Sequence, residues 1–363
     1  MKVQDYDTPA LIVDIDTVDR NINRMGEYFR GKKVHLRPHV KVHKSPYFAH
    51  KQIAAGAQGI TCAKLSEAEV MVNGGIKDIL IANQIVGPYK LKRLAGLARE
   101  CKLRVLVDDF ANAKEMSDFA LQENSKIGVM IELNLFRGLD GILDRSGVQP
   151  GQTAVDLAHK LAGLKGLEFK GLMGYEGSLR KFTNPESRVN AVKHALEPMI
   201  ETKHQIEKSG IPVEDVSSGG TFSYNLTSQI DGVTEIEAGS YLFMDATYRK
   251  YGIDFEYALT ILTGVISRPR LDKVIVDAGL KTISAEHALP PIKDREDLEC
   301  IGLNAEHGHY RLTKPNVAPR TGDKLEMLPT HVDTTTCLHD NYVLVRKGEV
   351  ERILRIEGRG KLQ

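Results

Sequence analysis

Eight short apolar runs recur between about residues 34 and 242, and no other feature constrains the fold as strongly. They cover residues 34–40, 59–65, 78–85, 103–107, 127–133, 169–175, 213–217 and 235–242. Most are separated by segments with apolar residues at helical spacing. Ala154, Leu157, Ala158 and Leu161 form one such stripe, and Val18, Ile22, Met25 and Phe29 form another upstream of the first run. Ser66-Glu67-Ala68-Glu69 has capping-box spacing, with Ser66 as N-cap and Glu69 reaching back. Strands that alternate with helices lie parallel, and eight such units fit a (β/α)8 TIM-type barrel of about 200 residues or more. An open doubly wound sheet is the competing arrangement.

After residue 250 the texture changes. Residues 257–267, 273–277, 324–328 and 342–346 read as strands with few helical windows between them. Residues 342–345 and 350–354 flank Arg346-Lys347-Gly348-Glu349 as a hairpin. The strand at 10–13 precedes the first helix and finds no slot in an eight-stranded barrel, so it joins this second, mostly antiparallel β domain. The expected division is a barrel over 17–247 and a β domain made of 1–16 with 248–363. The 49 Lys and Arg against 48 acids leave a net charge of +1, which argues against a nucleic-acid or anionic-membrane partner. No window holds the ~20 apolar residues that span a bilayer, and the four cysteines form no CxxC pair. A soluble cytoplasmic protein is the expectation.

The stretch richest in chemistry is Val34-His35-Leu36-Arg37-Pro38-His39-Val40-Lys41-Val42-His43. Its alternation is strict. If the segment stays extended, His35, Arg37, His39, Lys41 and His43 share one face, and in a barrel that face points inward. The alternative is the solvated face of an edge strand, where Pro38 is tolerated. A lysine crowded by imidazoles and a guanidinium has its ammonium form disfavoured, as a Schiff-base lysine requires.

Residues 36–44, Leu36-Arg37-Pro38-His39-Val40-Lys41-Val42-His43-Lys44, resemble the cofactor-lysine segment of the D-threonine aldolase and D-serine dehydratase group. These are fold-type III pyridoxal 5′-phosphate (PLP) enzymes related to alanine racemase through the barrel. The resemblance runs from Asp7-Thr8-Pro9-Ala10 through Ala238-Gly239-Ser240-Tyr241, Asp277-Ala278-Gly279-Leu280-Lys281 and Glu306-His307-Gly308 to His331-Val332-Asp333. It implies a barrel plus β domain, a homodimer, and Lys41 as the lysine that carries the cofactor. Lys44 is the rival, at the start of the next helix. By the same resemblance, Arg145 approaches the cofactor's phenolic oxygen, although the preceding segment from Phe136 to Gly141 departs from the shorter family pattern.

Phosphate binding is expected at backbone amides of glycine-containing turns. Ser217-Ser218-Gly219-Gly220-Thr221 follows the seventh run, and Gly239-Ser240-Tyr241 lies in the eighth. Tyr175 and Glu176 are candidate pocket residues, and Arg180 is a candidate for a substrate carboxylate. His331 and Asp333, one residue apart, would share a face on a strand and suit a divalent cation, Mn2+, Zn2+ or Mg2+. In the resembled family the partner of this histidine is typically cysteine in the dehydratases and aspartate in the aldolases, and this chain has Asp333. The implied activity is a PLP- and metal-dependent lyase on D-β-hydroxy-α-amino acids, with D-threonine giving glycine and acetaldehyde. Dehydration of D-serine or 3-hydroxy-D-aspartate and aldol cleavage of 3-hydroxy-D-aspartate are the alternatives. A non-catalytic cofactor carrier is the reading from a different class.

Overall fold

The computed structural model describes residues 1–136, 145–182, 184–315 and 317–363, without the side chains of Arg180 and Lys181. In chain order the strands are β1 (Ala10–Asp14), β2 (His35–Leu36), β3 (Ile60–Cys62), β4 (Asp78–Gln84), β5 (Lys102–Val107), β6 (Ile127–Glu132), β7 (Leu167–Met173) and β8 (Asp215–Ser218). They continue with β9 (Glu235–Ile236), β10 (Leu259–Arg270), β11 (Lys273–Val276), β12 (Leu298–Leu303), β13 (Gly308–Leu312), β14 (Lys324–Met327), β15 (Asn341–Arg346) and β16 (Glu349–Arg355). The chain divides into two compact units. The first holds residues 26–41, 46–239 and 361–363, and the second residues 1–25, 42–45 and 240–360.

The first unit is built on one parallel sheet with the order β2-β9-β8-β7-β6-β5-β4-β3. The neighbours follow chain order with no reversal, which excludes the doubly wound alternative. Helices such as Pro88–Leu97, Phe110–Gln122 and Gln152–Ala162 connect successive strands. Their apolar stripes are inside: Ala154, Leu157, Ala158 and Leu161 are all buried. Leu80, Leu106, Met130 and Met173 make one layer across four adjacent strands, with Tyr175 packed on it.

Two local expectations are corrected. The ladder of a closed barrel is not completed between β2 and β3. They are joined by the His39–Thr61 bridge, by the Thr61 hydroxyl on the Arg37 carbonyl at 3.0 Å, and by backbone hydrogen bonds from Thr61 to Pro38 and from Gln58 to Leu36, both 2.9 Å. The cause is local: β2 is two residues long, Pro38 has no N–H to donate, and residues Val40–Val42 turn into a 3-10 helix. The helix after β3 begins at Leu65, so Ser66 is not its N-cap. The Glu67 carboxylate takes the backbone N–H groups of Ala63 and Lys64, at 2.8 and 3.2 Å, while Glu69 pairs with Arg93.

In the second unit the path is β12-β13-β11-β10-β1-β15-β16, with β14 on β10, and it is antiparallel except for the β1–β15 pair. β1 therefore lies in this sheet, as expected. The β15–β16 hairpin turns at Lys347 and Gly348, with φ of 51° and 77°, the left-handed pair that a tight hairpin needs. No helix among the described residues is long and apolar enough to cross a membrane.

Candidate active site

Lys41 sits in the 3-10 turn Val40–Val42 rather than on a strand, and the alternating basic face is not formed. His35 is exposed, whereas Arg37 and His43 are fully buried. Arg37 is bound by the carboxylates of Glu235 and Asp78, both at 2.6 Å. The guanidinium expected beside the lysine is thus committed to acids at the starting ends of β9 and β4. Lys44, the rival lysine, is buried with φ 50°, and its carbonyl accepts the N–H of Gly358 at 2.8 Å.

The charge of Lys41 acts instead on a buried acid. Glu237 follows β9, is buried, and accepts a hydrogen bond from the Ser217 hydroxyl at 2.8 Å. Burial pushes its carboxyl up to about 8, against the Ser217 hydrogen bond and the charges of Lys41 and Arg37; Glu235 adds to the rise. A carboxyl that titrates near neutral pH can hold or release a proton.

Glu176, just after β7, is fully buried and organises the turn after β8. It accepts from the Ser218 hydroxyl at 2.9 Å, the Gly219 N–H at 3.1 Å, and the hydroxyls of Ser223 and Thr227 at 2.6 and 2.5 Å. The Gly220 N–H donates to Ser223 Oγ at 3.3 Å. The Gly219 amide, expected to face phosphate, is therefore turned to an internal carboxylate, and the positive φ of Gly219, 77°, makes that turn possible. Tyr175 reaches the same turn: a Cβ added to Gly220 would lie 3.1 Å from its hydroxyl. The Arg145 guanidinium lies over the Tyr175 ring at 5.4 Å, and its loop is held by Asn134 Nδ2 on the Arg145 carbonyl and by the Gly147 N–H on Asp108. Arg145, Tyr175 and Gly220 are thus brought together. Gly239 closes the first unit, while Ser240 and Tyr241 belong to the second, where the Tyr241 ring is buried against Phe255. Residues 137–144 and the Arg180 side chain lie outside what the structure describes, so the departure before Arg145 and the candidate role of Arg180 are not placed.

In the second unit, His331 and Asp333 do not lie on a strand. His331 is the N-cap of the short helix Val332–Thr336, and its Nε2 is 3.8 Å from Asp333 Oδ2. Two groups that sequence reasoning missed stand beside it. Glu286 Oε2 is 2.7 Å from His331 Nδ1, and the His287 ring stacks on His331 at 4.4 Å and 25°. Asp245 is a third: burial pushes its carboxyl up to about 7, the amides of Tyr248 and Thr247 oppose this, and Asp333 and His331 act on it in opposite directions. The adjacent Glu286-His287 pair was the visible signal, and the Glu-Ile-Glu spacing at 235–237 was the signal for Glu237.

Two family models match this chain. The alanine racemase N-terminal domain model matches residues 13–247, and a serine dehydratase domain model matches residues 258–345. A D-threonine aldolase of Arthrobacter sp. is 38% identical over 98% of this chain and 93% of its own length. A 3-hydroxy-D-aspartate aldolase of Paracoccus denitrificans is 36% identical over 99% of this chain and 94% of its own. The crystal structure of D-threonine aldolase from Filomicrobium marinum superposes with a TM-score of 0.95 at 35% identity, covering 100% of this chain and 98% of that one. Sequence and fold agree along the whole length, and this chain belongs to the D-threonine aldolase and D-serine dehydratase-like family, built on the alanine racemase fold.

Proposed function

We propose that this protein is a PLP- and divalent-metal-dependent carbon–carbon lyase that cleaves D-threonine to glycine and acetaldehyde. The observation that carries the reading is Lys41 in the turn after β2, its charge felt by the buried acid Glu237 after β9, at the strand ends where barrel active sites form, in a chain 38% identical to a D-threonine aldolase. Residues 17–247 are read as the (β/α)8 cofactor barrel, and 1–16 with 248–363 as the domain that carries the metal.

The residues present fit both groups. Lys41 would hold PLP covalently, and Glu237 offers the acid that a cofactor ring nitrogen takes as partner. The backbone of Thr221 and of Gly239 would hold the phosphate, beside a turn whose Gly219 and Gly220 amides are bound internally by Glu176 and Ser223. Arg145 on Tyr175 would border the ring. Bound there, PLP supplies the electron sink for the pair left on Cα. His331 and Asp333 would hold the cation: one imidazole and one carboxylate suit a divalent ion such as Mn2+, which we take as the working choice, or Mg2+ or Zn2+, and would leave positions for water and a substrate hydroxyl. The cation supplies Lewis acidity at the β-hydroxyl. Lys41 Nζ would then be the group that holds or moves a proton beside the substrate.

The second reading is aldol cleavage of 3-hydroxy-D-aspartate, favoured by the 36% identical relative. Product analysis of the Mn2+-loaded holoenzyme separates the readings. D-Threonine is expected to give glycine and acetaldehyde; 2-oxobutanoate would mean dehydration and overturn the proposal. A far higher kcat/KM on 3-hydroxy-D-aspartate, with glycine as product, would move the native substrate to the second reading. A homodimer is expected by light scattering, and a fully active monomer would contradict it.

A further inference from the structure

We propose that Glu286 is a positioning residue that locks the His331 tautomer, holding the proton on Nδ1 so that Nε2 is presented to a divalent cation. This rests on the reading that His331 and Asp333 hold that cation. A carboxylate can only accept a hydrogen bond, so the 2.7 Å contact with Glu286 requires a proton on Nδ1 and leaves the Nε2 lone pair bare in the neutral ring. Nε2 is the atom that faces Asp333, at 3.8 Å, too far for a hydrogen bond and within the span of an ion with bonds of about 2.1 Å to each.

The ring has little freedom to turn. The His331 carbonyl accepts the Thr335 hydroxyl at 2.9 Å and the Thr335 N–H at 3.2 Å, which ties its backbone to the helix it caps. His287 stacks on the ring, and Thr334 Oγ1 lies 3.1 Å from Nδ1. The segment that carries Glu286 is itself tied to the neighbours of His331. The Ser284 N–H donates to Thr335 Oγ1 at 3.2 Å, and the Ala288 carbonyl accepts from Thr330 Oγ1 at 2.9 Å. Residues 284–288 are therefore stitched to both sides of His331, which keeps the carboxylate on the Nδ1 edge.

Glu286, His287 and His331 could also be read as a three-ligand ion site, since their ligand atoms lie within 4.8 Å of one another. The stacking argues against it. Two imidazoles at 25° send their in-plane lone pairs along nearly parallel planes, and these do not converge on one ion. A hydrogen-bonding carboxylate behind a metal-binding histidine accounts for all three residues.

The test is Mn2+ titration of PLP-loaded, metal-stripped protein by electron paramagnetic resonance, with cofactor absorbance recorded in parallel. Glu286→Ala should weaken Mn2+ binding about 10–100-fold without loss of PLP. Glu286→Gln, whose amide oxygen accepts the same N–H, should recover most of that affinity. Long-range 1H–15N spectra of histidine-labelled, metal-free wild type should show His331 protonated at Nδ1, which requires no variant to fold. Unchanged Mn2+ affinity in Glu286→Ala, or a wild-type His331 protonated at Nε2, would overturn the proposal. Asp333→Ala distinguishes the two levels: wild-type affinity in that variant would sink the His331–Asp333 site itself.

Discussion

Glu235 and Glu237 stand two residues apart at the same strand, are both buried, and titrate in opposite directions. Burial pushes both up. For Glu235 the charges of Arg37 and Arg104 more than offset it, and the carboxyl is held below its ordinary range. Arg37 binds it at 2.6 Å and Arg104 at 3.2 Å, while Asp78 and Asp215 take the other guanidinium edges. The backbone is shaped for this cluster: a Cβ on Gly59 would lie 2.3 Å from Arg37 Nη1. For Glu237 burial wins, and the carboxyl rises to about 8. One end of the sheet thus holds buried charges that are paired, and the other holds a buried acid whose desolvation is not offset. In barrels of this kind the opening ends of the strands serve stability and active sites form at the closing ends, which is where the proposed site lies.

The comparison breaks most visibly at Glu235. Glu235→Gln leaves two buried guanidiniums short of a partner and should cost about 3–5 kcal/mol in urea unfolding. A loss below about 1 kcal/mol would mean that the cluster is not a paired unit. The effect of Glu237→Gln is smaller and of opposite character. A carboxyl with a raised folded pKa contributes most below its unfolded value near 4.5, and that contribution is lost as pH rises towards about 8. Cofactor-free wild type should therefore lose roughly 2 kcal/mol between pH 6 and pH 8 that the Gln variant retains. Equal slopes in the two proteins would remove the contrast between the ends.

The sheet was legible because its strands are short apolar runs between helices, and six of the eight runs lie almost where the strands do. β12 and β13 were not legible: Leu298-Glu299-Cys300-Ile301-Gly302-Leu303 and Gly308-His309-Tyr310-Arg311-Leu312 mix polar residues and glycine without a clear two-residue period. The basic run at 35–43 misled for a physical reason. Alternation predicts a shared face only while the chain stays extended, and Pro38 with the turn at Val40–Val42 ends that within a few residues. Neither partner of Arg37 was visible either, because Asp78 and Glu235 lie 41 and 198 residues away. His331 and Asp333 do come close, through a helix start rather than a strand face, and Glu286 reaches them from 45 residues upstream.

In the proposed function, Lys41 at the closing end of the sheet carries the cofactor. Borohydride reduction of the PLP-loaded protein, followed by proteolysis and mass spectrometry, fixes the pyridoxyl group to whichever lysine holds it. The label is expected on Lys41, with none on Lys41→Ala protein. A pyridoxyl group on Lys44, whose segment is buried in the other unit, would contradict it.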